Sequence, residues 1–368
     1  MNMKRLMLLA TAGIVAMASC QNSTGYVIKG TIEGADDGSY VYLQDYSGGN
    51  LTAVDSAAVN AGKFSLSGES SSIAECRFLT YVNETMEIVA QVFLEKGTIK
   101  VNMSSEKATV GGTTCNDAYQ KFLDLYTAAS IEINEIYTQV MSDSTLTDAD
   151  RKAKGDLMQA KEEEAIAMIK DQISQNISNV VGVQLLASFA MNFPANEVAP
   201  LLDKIPTELE AMPEVVSMKE YFAAMLKSAE GQQYSDIELN DPDGKPIKLS
   251  DFIPNNKYTL VDFWASWCGP CRMEMPNVVA AYDKYKSKGF GIVGISLDSD
   301  VEAWKKAIVD LNITWPQMSD LQGWQNAAAQ LYGIRSIPST LLIDQSGVIV
   351  TRDLRGEALL NKLAELFK

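Results

Sequence analysis

The chain has 368 residues, too many for one ordinary domain, and it carries a formal net charge of -16 with no histidine. The acidity is concentrated in residues 116–230, which hold 19 acidic and 9 basic side chains, whereas the segments on either side each have a net charge of -3. A solvated, acidic helical surface explains this excess, and binding to the phosphate backbone of a nucleic acid is disfavoured.

The first 25 residues have the pattern of an export signal. Two basic residues precede an apolar stretch over 6–18, which is too short to favour a membrane span, and Cys20 follows small residues. We expect a signal peptide over 1–19 and a tether over 20–25, in which Cys20 is acylated and anchors the chain to a membrane. Ordinary cleavage without lipid is the alternative, because Met17 stands where lipoprotein signals usually carry leucine.

Residues 26–112 predict strands. Apolar and polar residues alternate in short runs, and Gly, Asp, Asn and Ser clusters separate the runs at intervals of roughly ten residues, a pattern typical of a small antiparallel β-sandwich. The sequence shows no clustered carboxylates and no glycine-rich phosphate loop there, so it assigns this segment no chemistry. The runs with the clearest alternation are Tyr26–Ile32, Ser39–Asp45, Lys63–Ser67 and Glu87–Leu94.

Residues 113–230 switch to helical periodicity, with apolar side chains three or four positions apart. The polar run over 143–148 separates a first long helix from a second, and four later prolines mark shorter helices or turns. We expect four or five helices packed as a bundle. The three glutamates at 162–164 indicate a solvated face rather than a metal site, because adjacent residues do not face each other on a helix.

Residues 231–368 alternate between strands and helices, including a helix predicted over 322–331, which indicates an α/β sheet with helices on both faces. Trp267-Cys-Gly-Pro-Cys271 lies where a strand predicted over 258–265 gives way to a helix predicted over 269–287. Two thiols at this junction indicate a reversible redox centre. The N–H groups and dipole of the helix N-terminus stabilise Cys268 as a thiolate, and Cys271 lies one turn further on, close enough to resolve a mixed disulfide.

The other cysteines bear on two alternatives. A structural zinc site needs four Cys or His ligands, and Cys20, Cys76 and Cys115 form no second close pair. An exported chain would meet an oxidising compartment, in which Cys268 and Cys271 pair with each other. Cys76 and Cys115 then either form a second bridge or stay as single buried thiols, and the sequence leaves both open.

Two segments resemble those of a known family. Residues 260–271 (LVDFWASWCGPC) resemble the active-site segment of thioredoxins, and residues 334–347 (IRSIPSTLLIDQSG) resemble the later segment that carries a cis-proline. The spacing between them is longer than in plain thioredoxin and contains a predicted helix over 301–311, an insertion typical of the extracytoplasmic TlpA/ResA-like branch and its AhpC/TSA relatives. The resemblance covers about 234–368. Residues 26–112 resemble an uncharacterised domain often placed before TlpA-like domains.

The positions of the two cysteines on the helix, and for Asp262 the resemblance, imply roles for three residues. Cys268, at the exposed start of the helix, is the nucleophile, and Cys271, one turn deeper, is the resolving thiol. Asp262 is the buried acid that shuttles the proton of Cys271. A carboxylate in the middle of an apolar strand would be costly to bury without such a purpose, although an ordinary, partly exposed acid is the alternative.

The resemblance also implies a substrate-binding rim. The Ile337–Pro338 bond is expected to be cis, against the default for such bonds, with its loop beside the cysteines and the Ile337 backbone paired with the substrate chain. The ring of Trp264 is expected to be buried and that of Trp267 to lie at the rim, and the dipeptide between the cysteines matches reducing thioredoxins. The residues expected to contact substrate are Trp267, Gly269, Pro270, Ile337 and Pro338.

These observations favour a periplasmic thiol–disulfide oxidoreductase, anchored to a membrane through Cys20, that reduces disulfides of exported proteins. By family analogy apocytochrome c is among the candidate substrates. An upstream electron donor in the membrane is expected, and no metal, organic cofactor or nucleic acid. A peroxidase is one alternative, since peroxiredoxins share the inserted helix, although the Pro and Thr of their reactive-cysteine segment are absent before Cys268. A partner-binding lipoprotein with an accessory redox domain is the other.

Overall fold

The computed structural model describes residues 25–47 and 49–368. The expected signal peptide over 1–19 and the acylated Cys20 therefore lie outside the described residues. Within these two ranges, no helix combines the length and apolar character needed to cross a membrane. The described chain forms two compact units, with the division between Val181 and Gly182.

The β-rich domain consists of two four-stranded sheets, ordered β4-β1-β7-β8 and β3-β2-β5-β6. Side chains alternate across each strand, so the inward residues of both sheets, such as Ile28 and Leu43, are buried in one shared core. All strand pairs are antiparallel except β1 with β7. The strands are β1 (Gly25–Ile32), β2 (Tyr40–Ser47), β3 (Asn50–Ala58), β4 (Lys63–Glu69), β5 (Glu75–Val82), β6 (Glu87–Leu94), β7 (Gly97–Met103) and β8 (Ala108–Gly111).

The sandwich is thus confirmed, but it contains more strands than the sequence predicted. In β5, six consecutive residues from Cys76 to Tyr81 are buried or half-buried, so the strand lacks the alternation that identifies a half-exposed strand. The parallel pairing of β1 with β7 also differs from the expected antiparallel pattern. A parallel pair needs a long connection, and the intervening strands supply it.

The helical middle is confirmed, and its helices are shared between the two compact units. The break predicted over 143–148 separates the two long helices, and the second begins with a capping box between Thr147 and Asp150. The first two helices pack along each other in the first unit, and the last two pack together in the second. The helices are α1 (Thr114–Ser142), α2 (Asp148–Asn176), α3 (Val180–Phe189), α4 (Ala195–Leu202) and α5 (Pro213–Lys227).

The second unit contains a five-stranded sheet ordered β13-β12-β11-β14-β15, preceded by a β9–β10 hairpin. The central strand β11 runs parallel to β12 and antiparallel to β14. The strands are β9 (Glu238–Asn240), β10 (Pro246–Lys248), β11 (Tyr258–Trp264), β12 (Phe290–Ser296), β13 (Gln317–Met318), β14 (Ser339–Asp344) and β15 (Ile349–Arg352). The helices are α6 (Gly269–Tyr285), α7 (Val301–Asp310), α8 (Ala327–Leu331) and α9 (Gly356–Leu366).

The central strand explains where the site lies. From Thr259 to Trp264 every residue of β11 is buried, as expected of a strand covered on both faces, and inward residues of α6, α7 and α9 complete the core. The thioredoxin-like α/β fold is therefore confirmed. The helix predicted over 322–331 is wrong in its first half. A single tighter turn precedes Asn326, whose side chain caps the start of the short helix α8.

Candidate active site

The two cysteines lie at the junction of β11 and α6, as the sequence predicted. Cys268 occupies the N-cap of α6, and Cys271 lies in its first turn. The structure shows the oxidised form, in which a disulfide joins them with their Cα atoms 5.3 Å apart. The backbone N–H of Cys271 donates a hydrogen bond to Cys268 Sγ, with N and S 3.1 Å apart. After reduction this N–H and the helix dipole would favour a thiolate on Cys268.

The expected difference in exposure between the two thiols is small in the oxidised form. Cys268 is 4% exposed and Cys271 is 1% exposed, so the prediction that Cys268 is at an exposed position is wrong for its side chain. The exposed residues are instead its neighbours Trp267, Gly269 and Pro270. Cys268 thus lies directly beneath an exposed rim, whereas Cys271 belongs to the inward side of α6.

A buried carboxylate holds the loop that carries the rim. The backbone N–H of Ser266 donates to Asp298 Oδ2 at 2.9 Å, and the Ser266 hydroxyl donates to the other carboxylate oxygen. Asp298 is 1% exposed and also accepts from the Ser296 hydroxyl. Because these bonds join the loop after β11 to the end of β12, they fix the chain just before Cys268. Sequence reasoning missed Asp298, since nothing in the local pattern shows that it faces Ser266.

The cis-proline loop lies beside the dithiol. The Ile337–Pro338 peptide is cis, as the resemblance implied, and the carbonyl oxygen of Ile337 is 3.7 Å from Cys268 Sγ. Pro338 itself is buried and Ile337 is half-buried, so the accessible part of this segment is the Ile337 end. The Pro338 carbonyl accepts a hydrogen bond from the Arg355 guanidinium. The structure therefore brings together the residues of two segments that are far apart along the chain.

Asp262 is buried in the middle of β11, at 3% exposure, so the alternative of a partly exposed acid is wrong. Burial raises the pKa of Asp262 from its ordinary value of 3.8 to about 7, because a carboxylate loses its hydration there. The value of about 7 also includes a smaller rise caused by the negative charge of Glu274 and an opposing effect of the positive charge of Arg355. An acid with such a pKa exchanges a proton readily near neutral pH.

Glu274 and Arg355 are site residues that sequence reasoning missed. Glu274 lies on α6, three positions after Cys271, and its Oε1 accepts from the backbone N–H of Gly356 at 2.6 Å. Its spacing of three positions from Cys271 could have identified it from the sequence, since residues three apart lie on the same face of a helix. Arg355 offered no local signal, because only the folding of β15 and α9 brings it to Pro338.

The two tryptophans of the active-site segment divide as predicted. Trp264 is fully buried, and its Nε1 donates to Gln317 Oε1 at 2.9 Å. Trp267 is 54% exposed, and its ring centroid is 6.0 Å from that of Trp324. The exposed rim therefore includes an aromatic pair, of which Trp324 was not anticipated from the sequence.

Two other cysteines, Cys76 and Cys115, belong to the first compact unit, whereas the dithiol belongs to the second. Cys115 is a buried thiol rather than half of a disulfide, so the open alternative of a bridge to Cys76 is not realised. Burial and the neighbouring Glu95 raise the pKa of the Cys115 thiol to about 12, which makes it a poor nucleophile. In residues 25–47 and 49–368, no group of three or more Cys, Asp or Glu is arranged to hold a metal ion.

Comparison with known proteins supports two family assignments. The AhpC/TSA family profile matches residues 231–352, and a domain of unknown function, DUF4369, matches residues 26–119. The thiol-disulfide oxidoreductase ResA of Bacillus cereus is 31% identical over 148 residues, which cover 40% of this chain and 82% of the relative. ResA of Bacillus subtilis is 29% identical over 129 residues, which cover 35% of this chain and 69% of the relative.

Among solved structures, the thioredoxin domain of a thiol-disulfide oxidoreductase from Bacteroides vulgatus is 36% identical and covers 38% of this chain and 99% of that chain, with a TM-score of 0.36. The match to Bacillus cereus ResA spans most of that protein, and the redox cysteines and the cis-proline lie together in the structure. The chain therefore belongs to the ResA-like thiol–disulfide oxidoreductases, with an AhpC/TSA-family domain over 231–352 and a DUF4369 domain over 26–119.

Proposed function

We propose that this enzyme is a periplasmic, membrane-tethered reductant of disulfides in exported proteins. One observation carries the proposal: Cys268 Sγ contacts both the backbone N–H of Cys271, in the first turn of α6, and the Ile337 carbonyl of the cis-proline loop. The first contact favours a thiolate, and the second supplies backbone beside the reacting sulfur with which an extended polypeptide can pair.

In the first step the reduced enzyme attacks. The Cys268 thiolate displaces one sulfur of the substrate disulfide, forming a bond between Cys268 Sγ and the other substrate sulfur. The displaced sulfur leaves as a thiolate and takes a proton from solvent. The exposed rim of Trp267, Gly269 and Pro270 is the surface over which the substrate chain approaches Cys268.

In the second step Cys271 resolves the mixed disulfide. Its thiol must lose a proton before it attacks Cys268 Sγ, and we assign Asp262 as the acceptor because its pKa of about 7 matches the working pH. The new Cys268–Cys271 bond forms as the second substrate sulfur leaves. The substrate gains two electrons and two protons, and the enzyme is left in the oxidised form seen in the structure.

Turnover requires a donor that returns two electrons to the disulfide. We propose a membrane-bound electron donor for this role, consistent with tethering through acylated Cys20. Replacement of Cys20 by alanine should release the mature chain from the membrane fraction, and mass spectrometry of the wild-type N-terminus should show the acyl groups. A wild-type N-terminus without acyl groups would contradict the tether, as would a Cys20→Ala protein that stays membrane-bound after its signal peptide has been removed.

The function is tested by trapping substrates in cells. Cys271→Ser should accumulate covalent adducts with exported proteins through Cys268, because attack survives and resolution is lost. Cys268→Ser should trap almost nothing. The double variant Cys268→Ser/Cys271→Ser is the matched control, since adducts on it would come from Cys76 or Cys115.

Adducts would be recovered under non-reducing conditions and identified by mass spectrometry, with apocytochrome c as one expected partner. Equal adducts on both single variants would contradict the division of roles between the two thiols. No adducts on either would leave a partner-binding lipoprotein with an accessory redox domain as the better account. Peroxide consumption by the wild-type dithiol at rates above those with protein disulfides would favour the peroxidase alternative.

A further inference from the structure

Helix α5 precedes the segment matched by the AhpC/TSA profile, 231–352, yet it belongs to the same compact unit. It contacts the loop that leads into Pro338. The guanidinium of Arg335 lies over the Tyr221 ring, 4.4 Å from its centroid, and Arg335 Nη2 donates to the Ser217 hydroxyl at 3.1 Å. Helix α5, which lies outside the matched segment, thus contacts Arg335 in the loop that precedes the cis-proline.

A cavity of about 400 Å³ lies beside this contact. One wall comes from α5, through Glu220 and Tyr221, and the other from the segment around α8, through Trp324 and Gln330, with Arg335 at the loop. This volume is near the lower end of the range of about 300–1,000 Å³ for ligand pockets, which suits one or two side chains rather than a folded surface.

Two residues that line the cavity, Trp324 and Arg335, connect it to the surroundings of the dithiol. The ring of Trp324, 43% exposed, is 6.0 Å from the ring of Trp267, the residue directly before Cys268. Arg335 is two residues before Ile337, whose carbonyl oxygen is 3.7 Å from Cys268 Sγ. A polypeptide whose cysteine reaches Cys268 would therefore have its neighbouring residues next to this cavity.

We propose that the cavity is a subsite for the substrate polypeptide and takes an aromatic side chain close to the substrate's reactive cysteine; this deepens, and rests on, the proposed function. The ring of Trp324, and the ring of Tyr221 apart from the face covered by Arg335, offer surfaces against which an aromatic ring packs. The opposite charges of Glu220 and Arg335 offset each other, so the lining favours neither a cationic nor an anionic side chain. The N–H donors of Arg335 other than the one bonded to Ser217 suit backbone carbonyls of the substrate.

The test uses the full chain and uncharged heptapeptides with a central cysteine in mixed disulfide with glutathione. Each peptide carries one tryptophan, placed from three residues before to three residues after the cysteine, and is compared with the all-alanine peptide. Oxidation of the reduced enzyme is followed by thiol alkylation and mass spectrometry. At one position or two adjacent ones, tryptophan should raise the second-order rate constant about twofold to tenfold, the range for one aromatic pair.

The ratio of the rate constant for the tryptophan peptide to that for the all-alanine peptide should fall to about one in Trp324→Ala and in Tyr221→Ala. Each of these variants removes the aromatic ring from one wall of the cavity, and one aromatic contact accounts for the whole expected preference. Tyr221→Phe keeps the ring and should keep the preference. Val309→Ala, at an α7 position that is 75% exposed, is the matched control for loss of a surface apolar side chain and should also keep it.

Hydroxyethyl disulfide has no side chain to place in the cavity, so its reduction distinguishes a failure of the subsite proposal from a failure of the proposed function. The proposal is overturned if wild-type enzyme shows no preference at any position, if Trp324→Ala retains it, or if either alanine variant loses reactivity equally toward peptide and hydroxyethyl disulfide. Failure of the wild-type dithiol to reduce any of these disulfides would instead overturn the proposed function.

Discussion

Replacement of Asp262 by asparagine should stabilise the folded protein, and the gain should depend on pH. The pKa of Asp262 is raised on folding from 3.8 to about 7. Between these values the folded protein retains a proton that the unfolded chain has lost. The free energy of unfolding of the wild type therefore falls as pH rises from about 4 to about 7, and this contribution then levels off. Asparagine keeps the shape of the side chain and removes this loss.

The magnitude follows from the shift. About three pKa units correspond to about 4 kcal/mol, the upper bound for the cost of the buried charge above pH 7. At pH 4 the wild-type carboxyl is neutral in the folded state, so Asp262→Asn and the wild type should unfold with nearly equal free energies. At pH 8 we expect the variant to be more stable by about 2–4 kcal/mol.

Denaturant unfolding of the oxidised proteins, followed by tryptophan fluorescence at pH 4 to 9, measures this difference. All five tryptophans lie between Trp264 and Trp324, so the signal reports the unit that contains Asp262. Asp243→Asn is the matched control, because that side chain is 91% exposed and its ion pair with Lys305 is long. Its effect should stay below about 0.5 kcal/mol at every pH.

Two outcomes would contradict this reasoning. An Asp262→Asn protein with unchanged or lower stability at pH 8 would show that the buried carboxylate is compensated by partners that the asparagine lacks. A gain that is the same at pH 4 and pH 8 would show that the effect does not arise from ionisation.

Three further changes test the site. Asp262→Ala should slow release of the mixed disulfide by about a hundredfold at pH 7 while the first attack stays nearly intact, because only the second step needs the proton acceptor; rapid-quench kinetics would separate the steps, and equal slowing of both would point to misfolding. Pro338→Thr should lengthen the lifetime of mixed disulfides on non-reducing gels, since the cis-proline loop shapes substrate release, and an unchanged lifetime would count against that role. Asp298→Ala should lower the free energy of unfolding by about 2–3 kcal/mol, because the partly buried N–H of Ser266 loses a charged acceptor, and a loss below about 0.5 kcal/mol in denaturant unfolding would show that other groups hold this loop.

The redox centre was predictable because its chemistry is local. A strand, two cysteines and a helix start follow one another within a few residues, and Pro338 lies in a segment with its own recognisable pattern. The burial of Asp262 followed from its position inside an apolar strand. These features need no knowledge of which distant segments come together.

The rest of the site depends on tertiary contacts. Asp298 was missed because its acceptor role requires the end of β12 to face Ser266. Arg335 and Ser217 are 118 positions apart, and no periodicity indicates that α5 packs against the cis-proline segment. For the same reason the helical middle was predicted as one bundle. Helical spacing identifies an apolar face, but it does not identify the surface that buries that face.

The reduction potential of the Cys268–Cys271 pair tests most directly whether this enzyme reduces its substrates. Equilibration of the full chain in defined redox buffers, followed by alkylation of free thiols and mass spectrometry of the active-site peptide, gives the fraction reduced at each potential. Because the Gly269-Pro270 dipeptide matches that of reducing thioredoxins, we expect a midpoint near about -270 mV, that of a reductant. A midpoint near about -120 mV, that of a strong oxidant, would contradict the account.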